Sequence, residues 1–333
     1  MKDLLFLLCN YPFDEKNREP LSKLTGEVKD WHKMVELINA HGIIALAAYN
    51  IKECGLEKKI PQDAMAALEN GYMQSVVRNS WLTERWKEVN IILSNAGIKH
   101  VLLKGMALEH TLYGSKGLRQ MNDNDILLKR DDAIKAWHLL QQHGFSHELI
   151  KSSLYKVIIA DIGKHLPSLY KNGYAVELHH KLFDNRTTGE KEYVNPVDSA
   201  VEIVIGDTKA WILSKEIQMM YLIDHFNKHA MKGEVQLRQY ADIILLDKTS
   251  KVIMPDTFIA NPQQQNDPRY RKAAYRKAVY RKTVASVPGK HRLRYIAGDI
   301  FPSVKWMKER YGCSGMKSLF YYPHRLGKLL WLV

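Results

Sequence analysis

Asp123 and Asp125 stand one residue apart in Gly117-Leu118-Arg119-Gln120-Met121-Asn122-Asp123-Asn124-Asp125-Ile126-Leu127-Leu128, where a polar stretch gives way to an apolar run. The run from Asp125 to Leu128 predicts a strand, in which residues two apart point to the same face. The two carboxylates would then project side by side, and ionised carboxylates that close repel unless a cation lies between them. Mg²⁺ suits such a pair, because it takes hard oxygen ligands and is commonly held by one or two carboxylates plus substrate phosphates. Mn²⁺ is the alternative ion. An Asp-x-Asp alone is also a frequent turn or cap pattern, so its chemistry depends on what the neighbouring elements bring to it.

Upstream, Ile98-Lys99-His100-Val101-Leu102-Leu103 is β-rich and ends at Lys104-Gly105, followed by a helix-like MALEHTLYG. The order is strand, Lys-Gly turn, helix, loop, aspartate strand. Gly105 would let backbone N–H groups approach a phosphate, with the helix aiming its positive end at it. Lys104 and Arg119 would add charge-assisted contacts to triphosphate oxygens. Taken alone, Gly105 is better read as closing a turn beside two solvated cations.

Downstream, His165–Tyr170 and Tyr174–His180 flank Lys171-Asn172-Gly173, a hairpin signal. In the second strand Tyr174, Val176 and Leu178 share one face, and Ala175, Glu177 and His179 the other. Glu177 would serve as a third carboxylate, either a metal ligand or a general base for an attacking hydroxyl. The competing reading is an edge strand with one wet face. His225 and His229 lie one turn apart on a predicted helix capped by Ser214. That spacing suits a zinc ligand pair, but no HExxH pattern or nearby cysteine accompanies it, which favours packing or substrate contact. Arg238 and Asp242, also one turn apart, read as an ion pair internal to a helix over Leu237–Leu246.

The elements that must carry these residues are mostly helical. Asp30 reads as the N-cap of a segment punctuated by Gly42 and Gly55. Pro61 to Leu93 predicts one long helix, with apolar positions Ala64, Leu68, Met73, Val77, Trp81, Trp86 and Ile91, stopped at Asn95-Ala96-Gly97. Asp131–His143 predicts an amphipathic helix capped by Asp131 or Asp132 and ended by Gly144. Ala200–Leu213 reads as two β segments about a Gly206-Asp207 turn. Ile259–Asp267 reads as a loop. Tyr270, Tyr275 and Tyr280 then head three Tyr-Arg-Lys repeats, whose period of five fans the rings around a helix. Their cations and aromatics would suit RNA, or simply solvate one helix.

The chain has 333 residues, 46% hydrophobic and 26% charged, the composition of a globular protein with room for two or three cores. No apolar run reaches the length of a membrane span and the N-terminus lacks a signal-peptide pattern. Three widely spaced cysteines argue against a disulfide framework or zinc cluster and fit a reducing cytoplasm. A formal charge of +13 favours polyanionic partners such as nucleotides or RNA, though it also serves solubility alone.

With these pieces in view, the chain resembles the uncharacterised nucleotidyltransferase family of the polymerase-beta-like superfamily. The resemblance rests on Leu102-Leu103-Lys104-Gly105, Leu112-Tyr113, Arg119–Leu128 and Val176-Glu177-Leu178-His179, with looser likeness at DWHKMVELINAHGI, Leu222–His229, Leu237–Asp242 and Phe301-Pro302-Ser303. It implies an α+β fold, a small mixed sheet with flanking helical segments. The implied division is an N-terminal helical region over 1–96, a nucleotidyltransferase-like core over 97–213 and a C-terminal helical region over 214–333. It further implies catalytic and metal-binding roles for Asp123, Asp125 and Glu177, and nucleotide contacts from Lys104, Gly105, Arg119 and His179. The implied reaction is Mg²⁺-dependent transfer of a nucleoside monophosphate, ATP being the first-choice donor, to a hydroxyl of a small molecule, protein or RNA. The alternatives are a nucleotide- or RNA-binding protein without turnover and, more remotely, a zinc hydrolase. Two positions depart from the superfamily pattern. Met106 follows Gly105 where Gly or Ser is usual, and Asn124 sits between the aspartates where an apolar residue is usual, so a buried amide there needs hydrogen-bond partners.

Overall fold

The computed structural model describes residues 1–155, 158–159, 163–183, 196–232, 234–247, 280–281, 283–285 and 287–332. Its contacts divide the chain into two compact units, Met1–Asp125 with Val194–Asn266, and Ile126–Tyr193 with Asp267–Val333.

The first unit begins with helices α1 (Lys2–Leu8), α2 (Arg18–Gly26), α3 (Trp31–Ala40), α4 (Ile44–Glu53) and α5 (Gln62–Asn95). Asp30 caps α3 as its sequence position predicts, its carboxylate accepting from the Lys33 N–H at 3.0 Å. Gly42, Gly55 and Gly97 end α3, α4 and α5. Leu8, Ile38, Ile43, Ile51 and Leu68 are buried in the helical core.

Helix α5 forms as predicted and buries Ala64, Leu68 and Trp86 as expected, but the rest of its inner face differs from the expected apolar positions. Met73, Val77 and Ile91 are exposed, whereas Leu82, Val89 and Leu93 are buried. The expected positions recur too widely for a 3.6-residue turn and drift around the helix. The buried stripe also contains Ser75 and Asn79, which an apolar count passes over. Both hold the loop described below.

Strand β1 (Val101–Leu102), helix α6 (Lys104–Thr111) and strand β2 (Asn124–Leu127) follow. Later in the chain come α7 (Arg130–Gln142), β3 (Ser146–His147), β4 (Leu169–Lys171), β5 (Tyr174–His179), β6 (Val201–Ile205), β7 (Thr208–Ile212), α8 (Lys215–Lys232) and α9 (Leu237–Leu246). Among the described residues, β1, β7 and β6 lie side by side in the first unit and β3, β4 and β5 in the second. Pairing is antiparallel at β4–β5 and β6–β7 and parallel at β1–β7, so the sheet is mixed and the fold is α+β. The boundary between the units falls inside β2, after Asp125.

In the second unit, Asn172 and Gly173 both take positive φ (50° and 80°) and join β4 to β5 in the predicted hairpin. Helix α7 starts at Arg130 with Lys129 at its N-cap. Asp131 and Asp132 therefore occupy its first turn, next to the positive helix end, and do not cap it. Tyr155 stacks on Tyr295 at 5.3 Å within a small core that also holds Ile158 and Val287. Helices Gly289–Ile300, Val304–Tyr311 and Tyr321–Leu332 follow, the second capped by Ser303. The expected loop over Ile259–Asp267 and the Tyr-Arg-Lys repeats lie outside the described residues apart from Tyr280 and Arg281. All three cysteines are free thiols. Among the described residues, no helix is long and apolar enough to cross a membrane.

Candidate functional site

The loop that leads into β2 is tied down from two helices. On α5, Ser75 Oγ donates to Gly117 O at 2.7 Å, Asn79 Nδ2 to Arg119 O at 2.9 Å and Arg78 Nη2 to Asn122 O at 2.8 Å. On α6, the buried Glu109 carboxylate accepts the backbone N–H groups of Gly117 and Arg119. Burial raises the Glu109 carboxyl above its usual range, and these two N–H donors oppose the shift. The loop ending in the aspartates is thus positioned by polar groups from elements that precede it in the chain.

Arg119 lines the resulting cleft, but its main partner is Asp242 of α9. Nε donates to Oδ1 at 2.9 Å and Nη2 to Oδ2 at 2.7 Å, a two-pronged pair with both side chains buried. Tyr113 Oη donates to Asp242 Oδ1 at 3.0 Å. Burial pulls the Arg119 guanidinium down, and Asp242 more than offsets this to hold it above its ordinary value. Asp242 therefore pairs with Arg119 and not, as the helical spacing predicts, with Arg238. Both oxygens are already engaged by a residue outside its own helix.

This arrangement explains Gly105 differently from the turn argument. Lys104, not Gly105, carries the positive φ, at 44°. A Cβ on Gly105 would lie 2.7 Å from Arg119 Nη1 and 3.0 Å from Met121 Cγ. Glycine is needed because a locked guanidinium packs on its Cα. Gly105→Ala should accordingly destabilise the fold by about 1–3 kcal/mol through overpacking, read as a lower urea midpoint. An unchanged midpoint would mean Arg119 can move aside.

Asp125 is 4% exposed and accepts a hydrogen bond from Lys104 Nζ at 2.9 Å. Burial lowers the Lys104 ammonium, but the Asp125 carboxylate reverses this and holds it above its ordinary range. Asp123 lies just before the strand and is exposed. Asn124 between them is fully buried, and its Nδ2 donates to Leu82 O at 3.3 Å. Met106 is buried, with its sulfur 3.8 Å from Thr83 Oγ1.

On β5 the faces divide as predicted at Tyr174, Val176 and Leu178, which are buried, and at the half-buried Glu177. His179 is 1% exposed, so this end of the second face is not wet. Glu177 Oε1 accepts from Ser168 Oγ at 3.3 Å, and Oε2 lies 3.6 Å from His179 Nε2. Leu128 N–H, just past β2, donates to His179 O at 2.9 Å.

A cleft of about 230 Å³ is lined by Lys104, Asp123 and Asp125 together with His225, His229 and Arg238. The two imidazoles meet edge to face at 4.5 Å. Among the described residues they form no three-ligand cluster with other metal-binding side chains. Arg238 is the lining residue that the sequence reading misassigned, having been given to an ion pair within its own helix.

Fold and site define an α+β protein with a cleft lined by Lys104, Arg119 and Arg238 and by Asp123, Asp125 and Asp242. The family model described as uncharacterised nucleotidyltransferase matches residues 27–261, and the chain belongs to that family. The resemblance read from the Lys-Gly, Asp-x-Asp and Glu177 motifs is thereby confirmed. Comparisons with the curated proteins and with the solved structures each give no match.

Proposed function

We propose that the protein is a Mg²⁺-dependent nucleotidyltransferase that moves a nucleoside monophosphate from a triphosphate, ATP first among the candidates, onto a hydroxyl of an acceptor. The observation that carries this reading is the cleft in which Lys104 and Arg238 lie beside Asp123 and Asp125.

The donor set fits the ion. Asp123 and Asp125 offer hard carboxylate oxygens at the cleft, the donor type Mg²⁺ takes. Mn²⁺, which accepts the same oxygens, is a second fitting ion. Asp123 and Asp125 would hold it, with Glu177 as the third carboxylate that the family motifs imply. When bound, the cation neutralises phosphate charge and favours attack at the α-phosphorus.

The protein's own groups do the rest. Asp125, relieved of its ammonium partner, leaves Lys104 to face the phosphates as a charge-assisted donor. Glu177, steadied by the Ser168 hydroxyl, accepts the acceptor's hydroxyl proton. The acceptor oxygen bonds to the α-phosphorus as the bond to the α–β bridging oxygen breaks, and pyrophosphate leaves with that electron pair.

Calorimetry of ATP and GTP with and without Mg²⁺, on wild type and Glu177→Gln, tests the reading. Mg²⁺-dependent binding that weakens by about tenfold or more in the variant is the expected result. Binding that ignores both the metal and the substitution would refute it.

A further inference from the structure

Most charges lining the cleft are already matched. Lys104 is paired with Asp125 at 2.9 Å, and Arg119 with Asp242 at 2.7 Å. Arg238 is different, because its described hydrogen-bond partners are neutral oxygens. Nη1 donates to Gln120 O at 2.7 Å and Nη2 to Gln236 Oε1 at 2.9 Å. Its Nε is buried without a hydrogen-bond partner. The Asp242 and Asp123 carboxylates act on it through their charge alone. A guanidinium removed from bulk water with no carboxylate hydrogen-bonded to it gains from an anion that completes it.

The surroundings hold this group in place. A reciprocal capping box between Gln236 and Gln239 fixes the start of α9, and Gln236 Nε2 also donates to Ala40 O at 3.0 Å. Gly42, at φ 66°, leaves room for the side chain, since a Cβ there would meet Arg238 Nε at 3.2 Å. The arginine N–H itself donates to His41 O at 3.2 Å. His225 and His229, one turn apart on α8, line the same cleft. The fork is therefore preorganised, and preorganised donors bind an anion without a further ordering cost.

Resting on the nucleotidyltransferase reading, we infer that Arg238, with His225 and His229, forms an anion-binding wall that takes the terminal phosphates of the nucleoside triphosphate. Those phosphates depart as pyrophosphate, so the same wall would hold the leaving group. Burial and the like charge of Arg119 pull the Arg238 guanidinium down to about 10, which leaves it cationic at neutral pH.

The test is calorimetric titration of the full chain with inorganic tripolyphosphate in metal-free buffer, with Mg·ATP titrated in parallel. Wild type should bind tripolyphosphate, and Arg238→Gln should weaken that binding about tenfold or more, as expected for the loss of charge-assisted contacts. Should Arg238→Gln fail to fold by circular dichroism, the double variant His225→Gln/His229→Gln carries the test, with about a threefold or larger loss expected. No tripolyphosphate binding by wild type, or unchanged binding in the folded variants, overturns the proposal. Mg·ATP binding keeps the two readings apart. If it persists in wild type while tripolyphosphate fails, only the phosphate wall is wrong. If Mg·ATP fails while tripolyphosphate binds through Arg238, only the nucleotidyltransferase reading is wrong.

Discussion

Asp125→Asn should abolish the Mg²⁺ dependence of nucleotide binding, weakening affinity in the presence of Mg²⁺ by about 100-fold or more. The substitution preserves shape and removes one charge from a residue that is 4% exposed and lines the cleft. It also releases Lys104, whose ammonium now bonds Asp125 at 2.9 Å. Metal-free binding should therefore hold steady or improve slightly, since a freed cation can turn to phosphate. The signature is a loss confined to the Mg²⁺ titration. Asp123→Asn should cost less, because Asp123 is exposed whereas Asp125 is buried. Equal losses in the two variants would argue that both aspartates hold the ion, and no loss in Asp125→Asn would remove the metal site from β2.

The largest stability effect should come from Asp242→Ala. Removing one partner of a buried ion pair typically costs about 3–5 kcal/mol, because the other charge stays buried and uncompensated. Here Arg119 would lose two hydrogen bonds and Tyr113 one. Equilibrium urea unfolding measures the cost. Replacing both partners together, as Arg119→Met/Asp242→Leu, should recover most of it, since a matched apolar pair leaves no orphan charge. If Asp242→Ala costs under about 1 kcal/mol, the range of exposed pairs, the pair is not buried in solution.

Local chemistry in the chain already carried much of the architecture. The Asp30 cap, the Asn172-Gly173 hairpin, the β6–β7 hairpin about Gly206 and the single long helix α5 follow from capping geometry, turn propensity and the absence of helix breakers. The alternating faces of β5 follow from a two-residue period. These signals act within a few residues and survive any tertiary arrangement. The family motifs belong to the same kind of signal, as they are short and contiguous.

What lay beyond the sequence was partner choice. Asp242 pairs with Arg119, 123 residues away, although a helical neighbour one turn distant offered the simpler match. Ser75 and Asn79 reach loop carbonyls 42 and 40 residues on, which makes the middle of α5's buried face polar. Gly105 is required by the guanidinium that packs on it, and the strained φ falls on Lys104. Sequence alone thus determined the elements, the family and the identity of the acidic strand. Only the tertiary structure decided which cation is spent on structure and which remains turned to the cleft. Pairing between distant charges depends on burial and distance, and neither is encoded in spacing along the chain.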